Sequence, residues 1–320
     1  MVTYIIRRVL MGILVLILVS LVVFFSLRLL PGDPALIYVS GQSGGQGVTE
    51  ERLNEVRHEF GLDKPIPVQY VNWVKGVLTG NLGKSIRYNE DVGKLFEQRF
   101  PVTLILGFFS VLISTVLGVF FGLVAAIRRG GWIDSLGTFL SYIGLTIPVF
   151  LLAFVLIYVF GVKLHWLDFG SGWIPPWKDL GMSVKSSIMP VICLATIPLA
   201  VTARQMRSSV LEVNNMDYVR TAWSKGLRER VIVTRHILKN SLIPVITMVG
   251  IGVGIVFGGA VIEETIFGIA GVGWLLATSV FARDYVVIQG GTLVIATIIV
   301  VVNIIVDISY GWLDPRIRYG

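Results

Sequence analysis

The sequence has few charged residues for its length. Only 15% of its 320 residues are Asp, Glu, Lys or Arg, whereas a soluble domain of this size carries about a quarter, because its surface must be hydrated. Apolar residues make up 54% of the chain, and the mean hydropathy is +0.79. The apolar residues occur in long runs, so lipid is expected to replace water as solvent for much of the surface. This composition excludes an ordinary soluble globular protein.

The residue patterns of common enzyme and metal sites are also missing. A single cysteine, Cys193, cannot build a disulfide framework or a cysteine metal cluster. The three histidines lie in three different predicted loops without zinc-ligand spacing. The segment 79–85 resembles a phosphate-binding loop, but Leu78 stands where its first glycine belongs. We therefore expect no catalysis and no bound cofactor or metal, and any ATP would bind to partner chains. An intramembrane enzyme remains an alternative.

The apolar runs predict an all-α polytopic membrane protein with about six transmembrane helices. Spanning the hydrocarbon core takes about 20 apolar residues. The fourth run is the shortest, and it contains Pro190 and Pro198. The six runs are 9–30, 101–127, 136–160, 187–203, 241–262 and 286–310.

The distribution of basic residues predicts the orientation. The net charge is +7, but no soluble basic domain with interleaved aromatics suggests nucleic acid. Six spans place both termini on one side, and the basic residues concentrate there, with eight of them between Arg204 and Lys239. Because positive loops stay in the cytosol, the amino and carboxyl termini are predicted to be cytoplasmic. The expected divisions are 1–30, an extracytoplasmic loop at 31–100, a transmembrane domain at 101–310 and a tail at 311–320.

The first outer loop is predicted to form a small helical cap. Pro31-Gly32-Asp33-Pro34 should end the first span, and a flexible glycine-rich stretch follows at 41–47. Thr49 is expected to cap one helix, and Pro67 to begin a second. A third is expected between Asn89 and Pro101, before the second span. Arg28, near the end of the first span, is expected to snorkel to the interface.

Glycines repeat every four residues along the fifth span, at Gly250, Gly254 and Gly258. They therefore share one helical face, where a neighbouring helix can approach closely. This face is predicted to be a subunit interface, part of a pore-lining helix or a site of tight packing within the chain. Gly118 and Gly122 repeat the pattern in the second span.

The cytoplasmic segment 204–240 alternates basic and apolar residues. It could be an amphipathic helix that grips anionic membrane lipid, or a docking element for a soluble partner. Gly226 favours docking, because it would break a continuous lipid-bound helix into two pieces.

The sequence resembles the EAA loop of ABC-importer permeases in this region. The resemblance lies in residues 217–227, DYVRTAWSKGL, in Arg235-His236 and in residues 239–244, KNSLIP. More narrowly, the chain is similar to the dipeptide, oligopeptide and nickel permease family. Three further stretches agree, at 27–34, at 68–83 and from Glu264 to Tyr285. The long first outer loop resembles that of the "B" member of two paired permeases.

This resemblance implies partners and site residues. A homologous second permease, two cytoplasmic ATP-binding subunits carrying ATP and Mg²⁺, and an extracytoplasmic solute-binding protein would complete an importer. A coupling helix would dock one ATPase through Asp217, Tyr218, Arg220, Thr221, Ala222, Lys225, Gly226 and Leu227. Peptides are the expected solute, with nickel complexes, glutathione or sugars as alternatives. Polar candidates for the translocation path are Ser141, Thr146, Glu263, Glu264 and Asn303, although each could instead be ordinary packing or a helix cap. A stand-alone channel or carrier is the alternative class.

Overall fold

The computed structural model describes residues 2–29, 33–43, 48–167, 169–170 and 172–313. This part of the chain is helical apart from turns, bends and one isolated bridge between Lys84 and Asp91. The α7 and α10 helices each continue into a π-helical turn, at Ile157–Lys163 and Ile232–Ile237. The helices are α1 (Val2–Arg28), α2 (Pro34–Ser43), α3 (Glu50–Glu59), α4 (Ile66–Leu78), α5 (Val92–Ile127), α6 (Trp132–Thr146), α7 (Val149–Leu156), α8 (Leu180–Asn214), α9 (Asp217–Ser224), α10 (Glu229–Val231), α11 (Leu238–Ile266), α12 (Val272–Phe281) and α13 (Tyr285–Leu313).

Among the described residues, five helices are long and apolar enough to cross a membrane. They are α1, α5, α8, the continuous α10–α11 rod and α13. A sixth candidate is the pair α6 and α7, which is bent by 102°. The protein is therefore an all-α polytopic membrane protein, and the predicted fold class is confirmed.

Contacts with α8 indicate that the bent pair makes one complete crossing. In the first turn of α6, Asp134 is ion-paired with Arg207 of α8. Beyond α7, the Trp173 indole donates to Ser187 of the same helix over 3.0 Å. Ser187 and Arg207 are 20 residues apart in one helix, which is about 30 Å and matches the thickness of the hydrocarbon core. The stretch from Asp134 to Trp173 therefore extends along α8 over this distance, as expected if the bent pair is a sixth crossing.

Prolines explain where the observed spans differ from the predicted ones. The third predicted span, 136–160, is broken at Ile147, whose ψ of 123° is extended. The residue before a proline avoids helical geometry, so Pro148 imposes this break. The fourth span is longer than the predicted 187–203. It is the 35-residue α8 helix, which continues through Pro190 and Pro198 with both prolines buried.

The segment between α1 and α5 forms a helical cap, which we call the cap segment (33–91). The predicted helix capped by Thr49 is confirmed as α3, where the Thr49 hydroxyl accepts from the Arg52 amide. The predicted second helix is α4. The α2 helix was not predicted, and it packs on α3 through Ala35 and Val56. Residues 41–43 of the predicted flexible stretch belong to α2. The expected turn residues Pro31 and Gly32, residues 44–47 and tail residues 314–320 lie outside the described residues.

The expectation of a separate third cap helix is wrong, because α5 runs unbroken through Pro101. Asp91 caps this helix by accepting from the Gly93 amide over 2.7 Å. Buried residues on both sides of the proline, Leu95 and Leu106 among them, pack into separate core clusters. We infer that this packing on both sides offsets the hydrogen bond that Pro101 removes from the helix.

Candidate functional site

The α9 helix, to which the resemblance assigns partner docking, is anchored by its inner face. Val219 is fully buried, and Ala222 is 5% exposed. Both pack into one apolar cluster drawn from α5, α8, α9, the second π turn and α11. Its buried members are Ala126, Met206, Val210, Val219, Ala222, Ile232, Ile237 and Val245. The inner face of α9 therefore shares one close-packed core with α8 and α11.

A Schellman turn ends α9 at Gly226. The Gly226 amide donates to the Trp223 carbonyl over 2.9 Å, and the Leu227 amide donates to the Ala222 carbonyl over 3.4 Å. Gly226 adopts a φ of +70°, which glycine accepts without strain. No atom of the described residues lies within 4 Å of a Cβ built at this position, so the backbone conformation is what requires glycine here.

Polar bonds tie α9 to the beginning of α11. The Asn240 side-chain amide donates to the Tyr218 hydroxyl over 2.7 Å and to the His236 carbonyl over 3.1 Å. The Thr221 hydroxyl donates to the Asp217 carbonyl of its own helix, so this bond does not connect α9 to α11. The bonds of Asn240 hold α9 against the π turn in addition to the apolar packing.

The outer face of α9 is exposed and combines apolar and basic groups. Tyr218, Trp223 and Leu227 are each about two-fifths exposed, and Lys225 is also exposed. The Arg220 side chain is 71% exposed and makes a 3.6 Å contact with Asp217, a surface pair of little energetic value. An anchored helix with a free apolar and cationic face has the composition of a protein-docking surface.

The five polar path candidates lie in different surroundings. Ser141 and Thr146 each donate a hydrogen bond to the carbonyl four residues earlier in α6, which is ordinary helix packing. Asn303 is an exposed residue of α13, and its side-chain oxygen would lie 3.2 Å from a Cβ built at Gly250.

Glu264 is a structural cap. It accepts from the Thr103 hydroxyl over 2.6 Å and from the Trp274 amide in the first turn of α12 over 3.0 Å. The Thr103 hydroxyl in turn accepts from the Val272 amide over 2.9 Å. The Glu264 residue is 1% exposed and joins α5, α11 and α12, so its hydrogen bonds are used within the fold.

Glu263 is equally buried but lacks such bonds. Neither of its carboxylate oxygens accepts a hydrogen bond from an N–H or O–H group of the described residues, and the Cys193 thiol is its polar neighbour. It borders an apolar cavity of about 270 Å³ between α7, α8 and α11. Cys193 lines the same cavity. A buried carboxylate with so few hydrogen bonds is costly, which distinguishes Glu263 from Glu264.

Comparisons with known proteins agree with this architecture. Residues 118–319 match the model of the binding-protein-dependent transport system inner membrane component. Residues 1–107 match the N-terminal model of the same transport-system membrane components. The chain belongs to this family of transport-system membrane components.

Curated relatives cover essentially the whole permease. The dipeptide transport system permease protein DppB of Alkalihalophilus pseudofirmus is 38% identical over 340 residues and 100% of both chains. DppB of Escherichia coli K12, with the same description, is 37% identical and covers 100% of this chain and 99% of its own. The di/tripeptide transport system permease protein DppB of Pseudomonas aeruginosa is 39% identical over 94% of each chain. The resemblance inferred from the sequence is confirmed.

The glycine repeat of the permease falls into two environments. Gly250 and Gly254 face α13, whereas Gly258 borders the Glu263 cavity, and no described atom lies within 4 Å of a Cβ built there. The tighter contact is on α5, where a Cβ at Gly118 would lie 2.8 Å from Thr202, and one at Gly122 would lie 2.7 Å from Met206. The glycines of α5 therefore allow a closer helix approach, to α8, than the repeat of α11 does to α13.

Sequence reasoning missed the ion pair that joins α6 to α8 in the permease. Arg207 donates from Nε and Nη2 to the two oxygens of Asp134, over 2.6 and 2.9 Å. The Gly130 amide donates to the same carboxylate over 3.0 Å. Asp134 is 6% exposed. The partners are 73 residues apart in the sequence, so no local pattern could have joined them.

The described part of the permease holds no group of three or more His, Cys, Asp or Glu side chains placed to bind a metal.

Proposed function

We propose that this chain is a permease subunit of an ATP-driven importer of peptides. The support for peptides as the solute is that three full-length relatives are described as dipeptide or di/tripeptide permeases. The chain would pair with a homologous second permease, two ATP-binding subunits would hydrolyse ATP, and an extracytoplasmic binding protein would deliver the solute. This chain would carry no cofactor, and its own contribution would be a docking surface and half of the path.

One observation carries the proposal: α9 is fixed to α8 and α11 on one face and free on the other. In the proposed mechanism, an ATPase binds the free face, with Trp223 and Leu227 as apolar anchors and Arg220 and Lys225 as charged contacts. ATP-driven movement of that subunit displaces α9, and the buried cluster passes the displacement to both spans. The spans then rock between inward-open and outward-open states.

We infer that the chain is a multi-pass protein of the inner membrane with both termini in the cytosol. The family's description as an inner membrane component supports the membrane. Six crossings would put both termini and α9 on one side of the membrane, and the basic segment 204–240 favours the cytosol for that side. The cap segment would then lie outside, where it could meet the binding protein.

The path is proposed to run along the faces of α7, α8 and α11 that line the Glu263 cavity. Glu263 would offer a carboxylate to the ammonium group of a peptide. Ser141, Thr146 and Asn303 stay weaker candidates, because two of them bond within their own helix and the third is exposed. The face of Gly250, Gly254 and Gly258 is proposed to approach the second permease where it is not covered by α13.

The proposed docking is tested by reversing the charge at Arg220. The Arg220→Glu transporter, purified with all subunits and reconstituted, should lose most of its solute-stimulated ATP hydrolysis or release the ATPases. Arg128→Glu is the matched control, since Arg128 is also an exposed basic residue, in the turn between α5 and α6. Full stimulation in Arg220→Glu, or solute flux through the isolated chain without ATPases, would contradict the proposal and favour a stand-alone carrier.

A further inference from the structure

A second cavity, of about 420 Å³, lies where the cap segment meets the membrane-spanning helices. Its walls come from the last turns of α1, from α4, from the turn at 81–84 and from the beginning of α13. Neither the transport mechanism nor the docking surface uses this cavity. We call it the cap cavity, and its polar lining residues are Arg28, Glu59, Gln69, Asn72, Trp73, Asn81, Lys84 and Gln289.

Three N–H donors on this lining have no hydrogen-bond partner among the described residues. They are Arg28 Nε, Trp73 Nε1 and Gln289 Nε2. Gln289 is 3% exposed, so the bulk solvent does not compensate it. Leaving a buried donor without a hydrogen bond is unfavourable, and more so for a charged group. Among the described residues of this lining, Gln69 Oε1 is the one buried acceptor without a hydrogen-bond partner. Donors therefore predominate among the unsatisfied groups of the lining.

The charge of the lining favours an anion. Arg28 and Lys84 are cationic and Glu59 is anionic, and both Lys84 and Glu59 are exposed at the surface. The lining therefore has a net charge of about +1, contributed by Arg28 in its half-buried position. The Arg28 guanidinium is stacked 5.0 Å from the Phe24 ring, which restrains the orientation of its donors. A restrained guanidinium beside neutral N–H donors is suited to phosphate oxygens.

Neighbouring surfaces place the cap cavity at the depth of lipid headgroups. Close to Arg28, α1 exposes Val22 and Phe25, by 65% and 39%. The α4 helix exposes apolar side chains as well, at Ile66, Val68, Val71 and Leu78. Such a helix lies in the membrane interface rather than in water.

Aromatic packing at the same level agrees with this depth. The rings of Tyr70 and Trp73 in α4 pack against the ring of Phe24 in α1. The ring centroids are 5.3 Å apart for Tyr70 and Phe24, and 5.8 Å apart for Trp73 and Phe24. Tyrosine and tryptophan concentrate at membrane–water interfaces, where one end of the ring is apolar and the other is hydrated.

We propose that the cap cavity binds the phosphodiester group of an anionic membrane phospholipid. The phosphate accepts hydrogen bonds from Arg28, Trp73 and Gln289, and the acyl chains lie along the exposed apolar face of α1. The bound lipid joins the cap segment to α1 and α13, because its three donors come from α1, α4 and α13.

The test uses the complete transporter, purified in detergent and examined by native mass spectrometry after exposure to phosphatidylglycerol. One tightly retained lipid per copy of this permease is expected. Arg28→Gln and Gln289→Met should each lower its retention by about tenfold, since each removes a hydrogen bond to a charged phosphate. Arg28→Lys should retain part of the binding. Lys75→Gln is the control, because Lys75 is an exposed residue of α4 outside the lining.

Competition identifies the source of the anion. Millimolar inorganic phosphate or a dipeptide should not displace the lipid, because neither has acyl chains. Displacement by phosphate would assign the cavity to a free anion, and displacement by dipeptide would assign it to the solute; either result overturns the lipid proposal. Equal lipid retention in Arg28→Gln, Gln289→Met and the control would also overturn it.

Discussion

At the scale of single residues, Gly226 determines how α9 ends. Replacing it with alanine should destabilise the Schellman turn by about 1 kcal/mol, because a side chain at φ +70° is strained even with open space around it. Asparagine at this position should cost less, since it tolerates the left-handed conformation better. Hydrogen exchange of the α9 amides in the assembled transporter measures the effect.

The control for this prediction is Ser224→Ala in the last turn of α9. Its exposed hydroxyl donates to the Arg220 carbonyl of its own helix, so its loss should change exchange very little. Unaltered protection in Gly226→Ala would show that the turn does not depend on glycine.

Asp33 makes the stability of the cap segment depend on pH. Partial burial alone would raise the pKa of Asp33, but hydrogen bonds from Arg57 and from the Ala35 amide hold that pKa below its ordinary value. The carboxylate caps α2 and reaches α3 through a 2.6 Å ion pair with Arg57. A lowered pKa means that this stabilisation is complete above about pH 4 and is lost as the pH falls further.

We therefore expect α2 and α3 to become more susceptible to proteolysis as the pH falls below about 4. The effect should be small, because the ion pair is about one-third exposed. Asp33→Asn should remove this part of the pH dependence. Asp63→Asn is the comparison, since the bond from His58 lowers the pKa of Asp63 without involving α2. An identical acid response in both variants would contradict the role of Asp33.

Sequence patterns predicted local features of individual residues better than distant ones. The cap formed by Thr49 could be predicted, because its partner amide is three residues away. Glu264 was read as a candidate path residue, since nothing in its neighbourhood shows that Thr103, 161 positions earlier, will donate to it. Glu263 and Glu264 are adjacent and equally buried, and only the packing of α5 and α12 distinguishes them.

At the scale of elements, the approach of α5 to α8 depends on Gly122. Alanine there would place a Cβ within 2.7 Å of the Met206 Cβ and in contact with the Ala203 backbone. Backbone cannot move as a flexible side chain can, so Gly122→Ala should destabilise the permease by about 1–3 kcal/mol. Thermal unfolding of the purified transporter measures this loss.

A glycine with room around it provides the comparison. Gly137 in α6 would place its Cβ 3.6 Å from that of Ala125, an ordinary van der Waals contact. Gly137→Ala should be neutral or slightly stabilising, because alanine favours helix. If both variants unfold at the same temperature, close helix packing at Gly122 is not what stabilises the pair.

Hydropathy predicted the long spans because twenty apolar residues have few alternatives to crossing a membrane. It failed at elements whose existence depends on tertiary contacts. The α12 helix is only ten residues long and is capped by Glu264 from α11. Pro101 and Pro148 are both prolines in apolar runs, yet one is accommodated within α5 and the other breaks α6 from α7.

At the scale of the whole molecule, the central claim is that energy enters through α9 from the cytosol. An even number of crossings supports it, because the segment from Asp134 in α6 to Trp173 beyond α7 extends along α8 from Arg207 to Ser187. The buried cluster around Val219 then connects α9 to three membrane-spanning helices. The proposed orientation and the proposed docking therefore both require α9 to face the cytosol.

The most direct measurement is the accessibility of a cysteine placed at Tyr218, on the exposed face of α9. The native Cys193 is buried, so a membrane-impermeant thiol reagent should give little background. Labelling of Tyr218→Cys is expected in inside-out vesicles stripped of the ATPases, with slower labelling once those subunits are bound. Labelling from outside intact cells, or equal rates with and without the ATPases, would contradict the account.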